Sequence, residues 1–109
     1  MTRAEALYRD AIRRFTDTLP PTHTSIGIAR TKLGHVLLLE KRYREAEQES
    51  VAGYLILKPQ MSASTRWMIN ARKDLREIYP ALGEPERVRE FQEPVSTSDT
   101  GTRVEQPTP

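Results

Sequence analysis

The stretch LGHVLLLEKRYREAEQESVAGYLILKP, residues 33–59, decides the fold of this chain. Apolar residues recur in it at three- and four-residue spacing on both sides of a polar connector, Glu40-Lys41-Arg42, which predicts two helices joined by a short turn. Gly34 and Gly53 fall inside these helices, although a helical glycine costs about 1 kcal/mol relative to alanine. The two glycines therefore indicate that neighbouring helices approach each other closely, and Pro59 ends the second helix.

The same spacing continues on both sides of this stretch. The first helix ends at Pro20-Pro21, because proline cannot donate a backbone hydrogen bond and disfavours helical geometry in the residue before it. Gly83 is the expected C-terminal cap residue of the fourth helix, and Pro80 predicts a kink or an early stop in its last turn. We expect an all-α domain over residues 1–92, with helices at about 3–19, 24–39, 43–58, 64–82 and 85–92.

Residues 93–109 differ in composition from the rest of the chain. Pro, Ser, Thr and Gly dominate this segment, and only Val95 and Val104 are apolar. Such a segment cannot bury enough surface to offset the entropy of ordering it. The composition therefore predicts a disordered C-terminal tail.

Length and composition exclude several classes of protein. The chain has 109 residues, enough for one small domain, and no cysteine, so disulfide scaffolds, thiolate metal sites and cysteine nucleophiles are excluded. No apolar run approaches the roughly 20 residues of a membrane span, and we find no signal peptide. We therefore expect no membrane insertion and a cytoplasmic location. The formal net charge of only +2 gives weak support to an anionic partner.

The helices repeat with a fixed period. The pair Ala4-Glu5 recurs as Ala46-Glu47, and 46 minus 4 gives a shift of 42 residues. Such a period, with two antiparallel helices per unit, is typical of helical repeats in which each unit covers the apolar face of its neighbour. The same shift relates Ala11 to Gly53, Phe15 to Leu57, Leu33 to Leu75, Leu37 to Tyr79 and Ala46 to Val88.

These residues resemble a known family. The pattern formed by Leu33-Gly34, Leu37, Tyr43-Arg44-Glu45-Ala46-Glu47, Gly53 and Pro59 is similar to tetratricopeptide repeats of the 42-residue kind found in kinesin light chains and many bacterial proteins. Residues 43–92 resemble the end of the array that closes many bacterial serine/threonine protein kinases. One departure is Lys41, which stands where the family usually has glycine.

The resemblance implies a fold and a function. The fold would be a right-handed superhelix of antiparallel helix pairs, and the function would be that of a non-catalytic scaffold that binds a protein or peptide. In such arrays the first helix of each unit lines the concave side, where partners dock. The corresponding candidates here are Thr31, His35 and Leu38 on the second helix and Asn70, Lys73, Asp74 and Glu77 on the fourth.

The sequence contains no pattern that points to catalysis, a metal or a cofactor. Neither His23 nor His35 has a second ligand at one-turn spacing, and the glycines form no phosphate-binding loop. We therefore expect no enzyme activity, no metal and no cofactor.

Two other functions stay open. One is homodimerisation through the first helix, residues 3–19, because Ala6 and Ile12 give it apolar area on a second side. The other is weak nucleic-acid binding through Arg9, Arg13 and Arg14, a basic cluster that nearby acidic residues dilute.

Overall fold

The structure, a computed structural model, describes residues 1–94 and contains only helices and connecting turns over that range. The predicted all-α fold class is confirmed. Residues 95–109 lie outside the described residues, and with them most of the segment predicted to be disordered. The helices are α1 (Arg3–Thr18), α2 (Thr24–Leu39), α3 (Tyr43–Leu57), α4 (Arg66–Ala81) and a 3₁₀ helix (Pro85–Phe91).

The 42-residue period is present in the helix boundaries. α2 and α4 have the same length, and their first and last residues are related by the same shift, since 66 minus 24 and 81 minus 39 both give 42. The 3₁₀ helix also begins 42 residues after the start of α3, since 85 minus 43 gives 42. Equivalent core positions are buried in both units, namely Leu33 with Leu75 and Leu37 with Tyr79.

α2 and α3 pack with almost no space between their backbones. A Cβ atom added at Gly53 would lie only 2.6 Å from the carbonyl oxygen of Gly27 and 2.9 Å from the backbone nitrogen of Thr31. At Gly34 the added atom would overlap the Oγ atom of Ser50. The prediction that Gly34 and Gly53 permit a close helix approach is confirmed, because only glycine lacks the atom that would collide.

The hydrophobic core lies where α2, α3 and α4 meet. Each helix packs against the next along the chain, and α2 also packs against α4. At the C-terminal end, Phe91 meets Tyr54 edge to face with ring centroids 5.4 Å apart and stacks on Tyr79 at 5.7 Å. The 3₁₀ helix therefore closes the C-terminal end of the core, where Phe91 joins α3 and α4.

A buried ion pair fixes α1 to the connector between α2 and α3. Glu5 is 1% exposed, and its carboxylate accepts hydrogen bonds from Arg42 at 2.7 Å and from Arg9 at 2.9 Å. The Arg42 guanidinium holds the pKa of the Glu5 carboxyl below its usual range, against the effect of desolvation. This contact holds α1 in one orientation relative to α2.

α4 ends at Ala81, one residue after Pro80 and one residue before the predicted end of this helix. Beyond α4, the C-terminal part of the domain differs from the sequence prediction in two ways. The fifth helix is 3₁₀ rather than α, as is common for short helical segments. Glu93, predicted to begin the tail, instead accepts hydrogen bonds from Arg72 and Arg76, because a nearly buried guanidinium requires an anionic partner.

Candidate partner-binding groove

A groove with a volume of about 240 Å³ lies between α2 and α4, and α1 contributes one residue to its wall. Pockets for small molecules usually measure about 300–1,000 Å³, so this groove has room for one or two side chains of a larger partner. No residue of α3 reaches it, because α3 packs elsewhere on α2 and α4. The lining residues are Tyr8, Thr31, Lys32, His35, Val36, Trp67, Asn70, Ala71, Lys73 and Asp74.

His35 and Asp74 form a hydrogen-bonded pair across the groove. The Nδ1 atom of His35 lies 3.0 Å from Oδ2 and 3.1 Å from Oδ1 of Asp74, whose side chain is 7% exposed. Burial raises the pKa of the Asp74 carboxyl, and the hydrogen bond from His35 acts in the opposite direction. Because an ionised carboxylate only accepts, Nδ1 carries the proton of this bond and Nε2 is left for a ligand. The half-exposed imidazole is therefore held in a defined orientation.

Lys32 and Trp67 form a second contact between α2 and α4. The Nζ atom of Lys32 lies 4.9 Å from the centre of the Trp67 ring, a distance at which the ring face attracts the ammonium group. Trp67 is half-buried and lines the groove, while its neighbour Met68 is buried in the core. The indole therefore supplies an apolar surface beside a positive charge.

Most of the site residues predicted from the resemblance lie in this groove. The side chains of His35, Asn70 and Lys73 are exposed there, whereas Asp74 is buried beneath His35. Thr31 also lines the groove, but it is nearly buried and its hydroxyl donates a hydrogen bond to the carbonyl oxygen of Ile28 at 2.9 Å. The resemblance thus placed on one surface residues that are far apart in the chain, such as Thr31 and Asn70, which are separated by 39 positions.

Two predicted site residues lie elsewhere. Leu38 is 8% exposed and belongs to the hydrophobic core, so its prediction as a surface contact is corrected. It is the middle one of three consecutive leucines, and helical spacing alone did not separate the buried Leu37 and Leu38 from Leu39, which is 69% exposed. Glu77 is exposed on α4 but does not line the groove.

The sequence prediction missed Tyr8 and Lys32. Tyr8 reaches the groove from α1, a different helix pair, and no sequence pattern links it to α4. Lys32 follows Thr31 directly and contacts Trp67 on α4. The sequence could have indicated this contact, because a lysine and a tryptophan on two paired helices can form a cation–π interaction.

Comparison with known proteins identifies no relative, so a proposal about function depends on the fold and the groove. No protein-family model matches the chain, and no curated protein and no solved structure is significantly similar to it. Within residues 1–94, no three His, Asp or Glu side chains are grouped so as to hold a metal ion. Over the same range, no helix combines the length and the apolar character that crossing a bilayer requires. The chain is thus an all-helical protein with an internal 42-residue period and a polar groove between equivalent helices.

Proposed function

We propose that this chain is a non-catalytic interaction module that binds a protein or peptide in the groove between α2 and α4. The observation that carries the proposal is the composition of the groove wall. Exposed polar groups of His35, Asn70 and Lys73 surround an apolar surface formed by Val36 and Trp67. An apolar surface with a few oriented polar groups is typical of binding pockets, and the size of this groove suits a side chain of a peptide or protein.

The proposal includes the repeat family. The shared boundaries of α2 and α4 support a tetratricopeptide-type array in which the two helices are first helices of consecutive units. In that case the groove lies on the concave side of a right-handed superhelix. The resemblance of residues 43–92 to the arrays of bacterial serine/threonine kinases is the basis for proposing that the chain is the terminal part of such an array, in the C-terminal region of a kinase.

A peptide-binding screen tests the groove directly. A phage-displayed library of random peptides is selected against the full chain, and the affinity of each selected peptide is measured by fluorescence polarisation. We expect His35→Ala and Asn70→Ala to weaken binding at least about fivefold, which corresponds to about 1 kcal/mol. Gln48→Ala, an exposed polar residue of α3 outside the groove, is the matched control and should leave the affinity unchanged. Failure to select any peptide, or affinities that the groove variants do not change, would contradict the proposal.

Self-association through α1 is a second candidate function, and the exposure of its surface favours it. Leu7 is 60% exposed, and Ala4 and Ala6 are exposed as well. Ile12, predicted on this exposed side, is instead buried in the core. Of the two residues that the sequence indicated, only Ala6 therefore belongs to the exposed apolar surface of α1.

Nucleic-acid binding, the third prediction, finds less support in the arrangement of charges. Asp10 pairs with both Arg13 and Arg14, and Arg9 pairs with Glu5. The positive charges of α1 are thus largely compensated by neighbouring carboxylates. Since phosphate binding depends on uncompensated positive charge, we do not propose this function.

A further inference from the structure

We infer that α1 pairs with α1 of a second copy of this chain in an antiparallel, two-fold symmetric arrangement. The contact surface is the flank formed by Ala4, Tyr8, Ala11 and Phe15, named here the α1 flank. The inference rests on the second candidate function above, and of the four flank residues only Tyr8 also lines the groove between α2 and α4.

The internal repeat identifies the α1 flank as a helix-packing surface. A shift of 42 residues relates its four members to Ala46, Ser50, Gly53 and Leu57 on α3. All four of these α3 residues are buried, and Ser50, Gly53 and Leu57 lie against α2. On α1, by contrast, Ala4 is exposed and the other three are only half-buried. The flank that α2 covers on α3 is therefore only partly covered on α1 within the described residues, where Tyr8 and Phe15 pack against the edge of the core.

The opposite flank of α1 is already occupied. Glu5 and Ile12 are buried where α1 packs against α2, and their equivalents Glu47 and Tyr54 lie on the side of α3 toward α4 and the 3₁₀ helix. α1 and α3 thus each have two flanks that can pack against other helices, and only one of the two flanks is buried on α1. A shallow groove of about 250 Å³ separates the α1 flank from α2, with Tyr8, Ala11 and Phe15 on one side and Ile28 on the other.

The order of side-chain sizes favours a second copy over a helix resembling α2. On α3 the covered flank begins with three small residues, which allow the glycines of α2 to approach closely. On α1, Tyr8 and Phe15 would prevent such an approach. The α1 flank instead alternates small and large residues, in the order Ala4, Tyr8, Ala11, Phe15.

When the order of these four residues is reversed, as in an antiparallel helix pair, each small residue stands opposite a large one. In an antiparallel pair, Ala4 lies opposite Phe15 of the second copy, and Tyr8 lies opposite Ala11 of the second copy. Every contact then joins a small side chain to a large one, which fills space without overlap. A two-fold arrangement also uses the same surface on both subunits, so the assembly closes at a dimer.

The size of the surface indicates a weak dimer. α1 has 16 residues and is therefore about 24 Å long, which limits the buried area to less than the ~1,200 Å² of stable complexes. Leu7 lies beside the flank and adds exposed apolar area to the contact. Association should therefore depend on concentration in the micromolar range.

Analytical ultracentrifugation of the full chain from about 5 to 500 µM tests the inference. We expect a monomer–dimer equilibrium in the unmodified chain. Ala11→Tyr places two large residues opposite each other and Tyr8→Ala places two small ones, so each change should weaken the dimer at least about tenfold. The double variant restores one small and one large residue at this contact, and its dissociation constant should return to within about threefold of the original.

Matched controls separate this geometry from nonspecific association. Leu7→Glu should weaken the dimer, whereas Leu55→Glu should not, although Leu7 and Leu55 are 60% and 61% exposed. Circular dichroism verifies that each variant is folded. A monomer at every concentration, a dimer that Ala11→Tyr leaves unchanged, a double variant that is not restored, or equal effects of the two leucine substitutions would overturn the inference. Peptide binding by the Ala11→Tyr variant, whose substitution lies outside the groove, reports separately on the groove function.

Discussion

Lys41 and Gly83 lie 42 residues apart and share the left-handed backbone conformation, with φ angles of 62° and 76°. Each follows the last residues of equivalent helices, α2 and α4. In both cases the next backbone N–H donates a hydrogen bond to the carbonyl five residues earlier, at 2.9 and 2.8 Å. These contacts form the same helix-terminating motif twice. Lysine has therefore taken the conformation that glycine adopts without steric cost.

Replacement of Lys41 by glycine should stabilise the protein. The left-handed conformation costs a residue with a Cβ atom about 1–2 kcal/mol, which the greater chain entropy of unfolded glycine partly offsets. We expect Lys41→Gly to raise the free energy of unfolding by about 0.5–1 kcal/mol, measured by urea denaturation with an unchanged slope. Lys58→Gly is the control, because Lys58 has a right-handed helical conformation and the same substitution should destabilise there. A loss of stability in Lys41→Gly would contradict the explanation.

Alanine at Gly34 or Gly53 should destabilise the protein, although alanine normally stabilises a helix. The new Cβ atom collides with α3 in the first case and with α2 in the second, so each change should lower the free energy of unfolding by about 1–3 kcal/mol. Ser50→Gly should partly rescue Gly34→Ala, because it removes the Oγ atom that the new methyl group meets. No side-chain change should fully rescue Gly53→Ala, because besides Cγ2 of Thr31 the new methyl group meets the carbonyl oxygen of Gly27 and the backbone nitrogen of Thr31. Equal rescue of both variants would show that the glycines matter for another reason.

The His35–Asp74 pair should make stability depend on pH in a defined direction. Since burial raises the pKa of Asp74 in the folded state, its ionised form costs stability above that pKa, and the cost disappears as the pH falls below it. His35→Ala removes the hydrogen bond that offsets this cost, so it should destabilise by about 1 kcal/mol near pH 7 and by less near pH 3. Adding Asp74→Asn should recover most of the loss near pH 7, because the buried charge is then absent. Urea titrations at both pH values measure the effect, and an equal loss at both would exclude this origin.

Glu93 should stabilise the domain although it lies beyond the last helix. Its carboxylate accepts hydrogen bonds from Arg72 at 2.5 and 3.2 Å, and the guanidinium of Arg72 is nearly buried. Glu93→Ala should lower the free energy of unfolding by about 1–2 kcal/mol, a value reduced by the partial exposure of the carboxylate. Glu90→Ala removes a more exposed carboxylate that pairs with Arg87, and thermal unfolding should detect a much smaller change. Equal effects of the two substitutions would show that Arg72 needs no anionic partner.

The helices were predictable because their signals are local. The apolar spacing, the double proline after α1 and the glycine after α4 depend on residues within a few turns of one another. For this reason the predicted bounds of the four α-helices agree with the structure to within two residues. Five of the seven site residues that the family resemblance implied line the groove, because the resemblance treats α2 and α4 as equivalent helices of two units.

The remaining features depend on contacts between residues far apart in the chain. Three features are set by the distances between packed helices, which no local spacing encodes. They are the burial of Leu38, the ion pair of Arg72 with Glu93 and the position of Tyr8 in the groove wall. The sequence by itself therefore determined the helices, their period and the glycines that bring α2 and α3 together. Tertiary structure decided which side chains of each helix are buried, because desolvation and charge pairing depend on neighbours contributed by other helices.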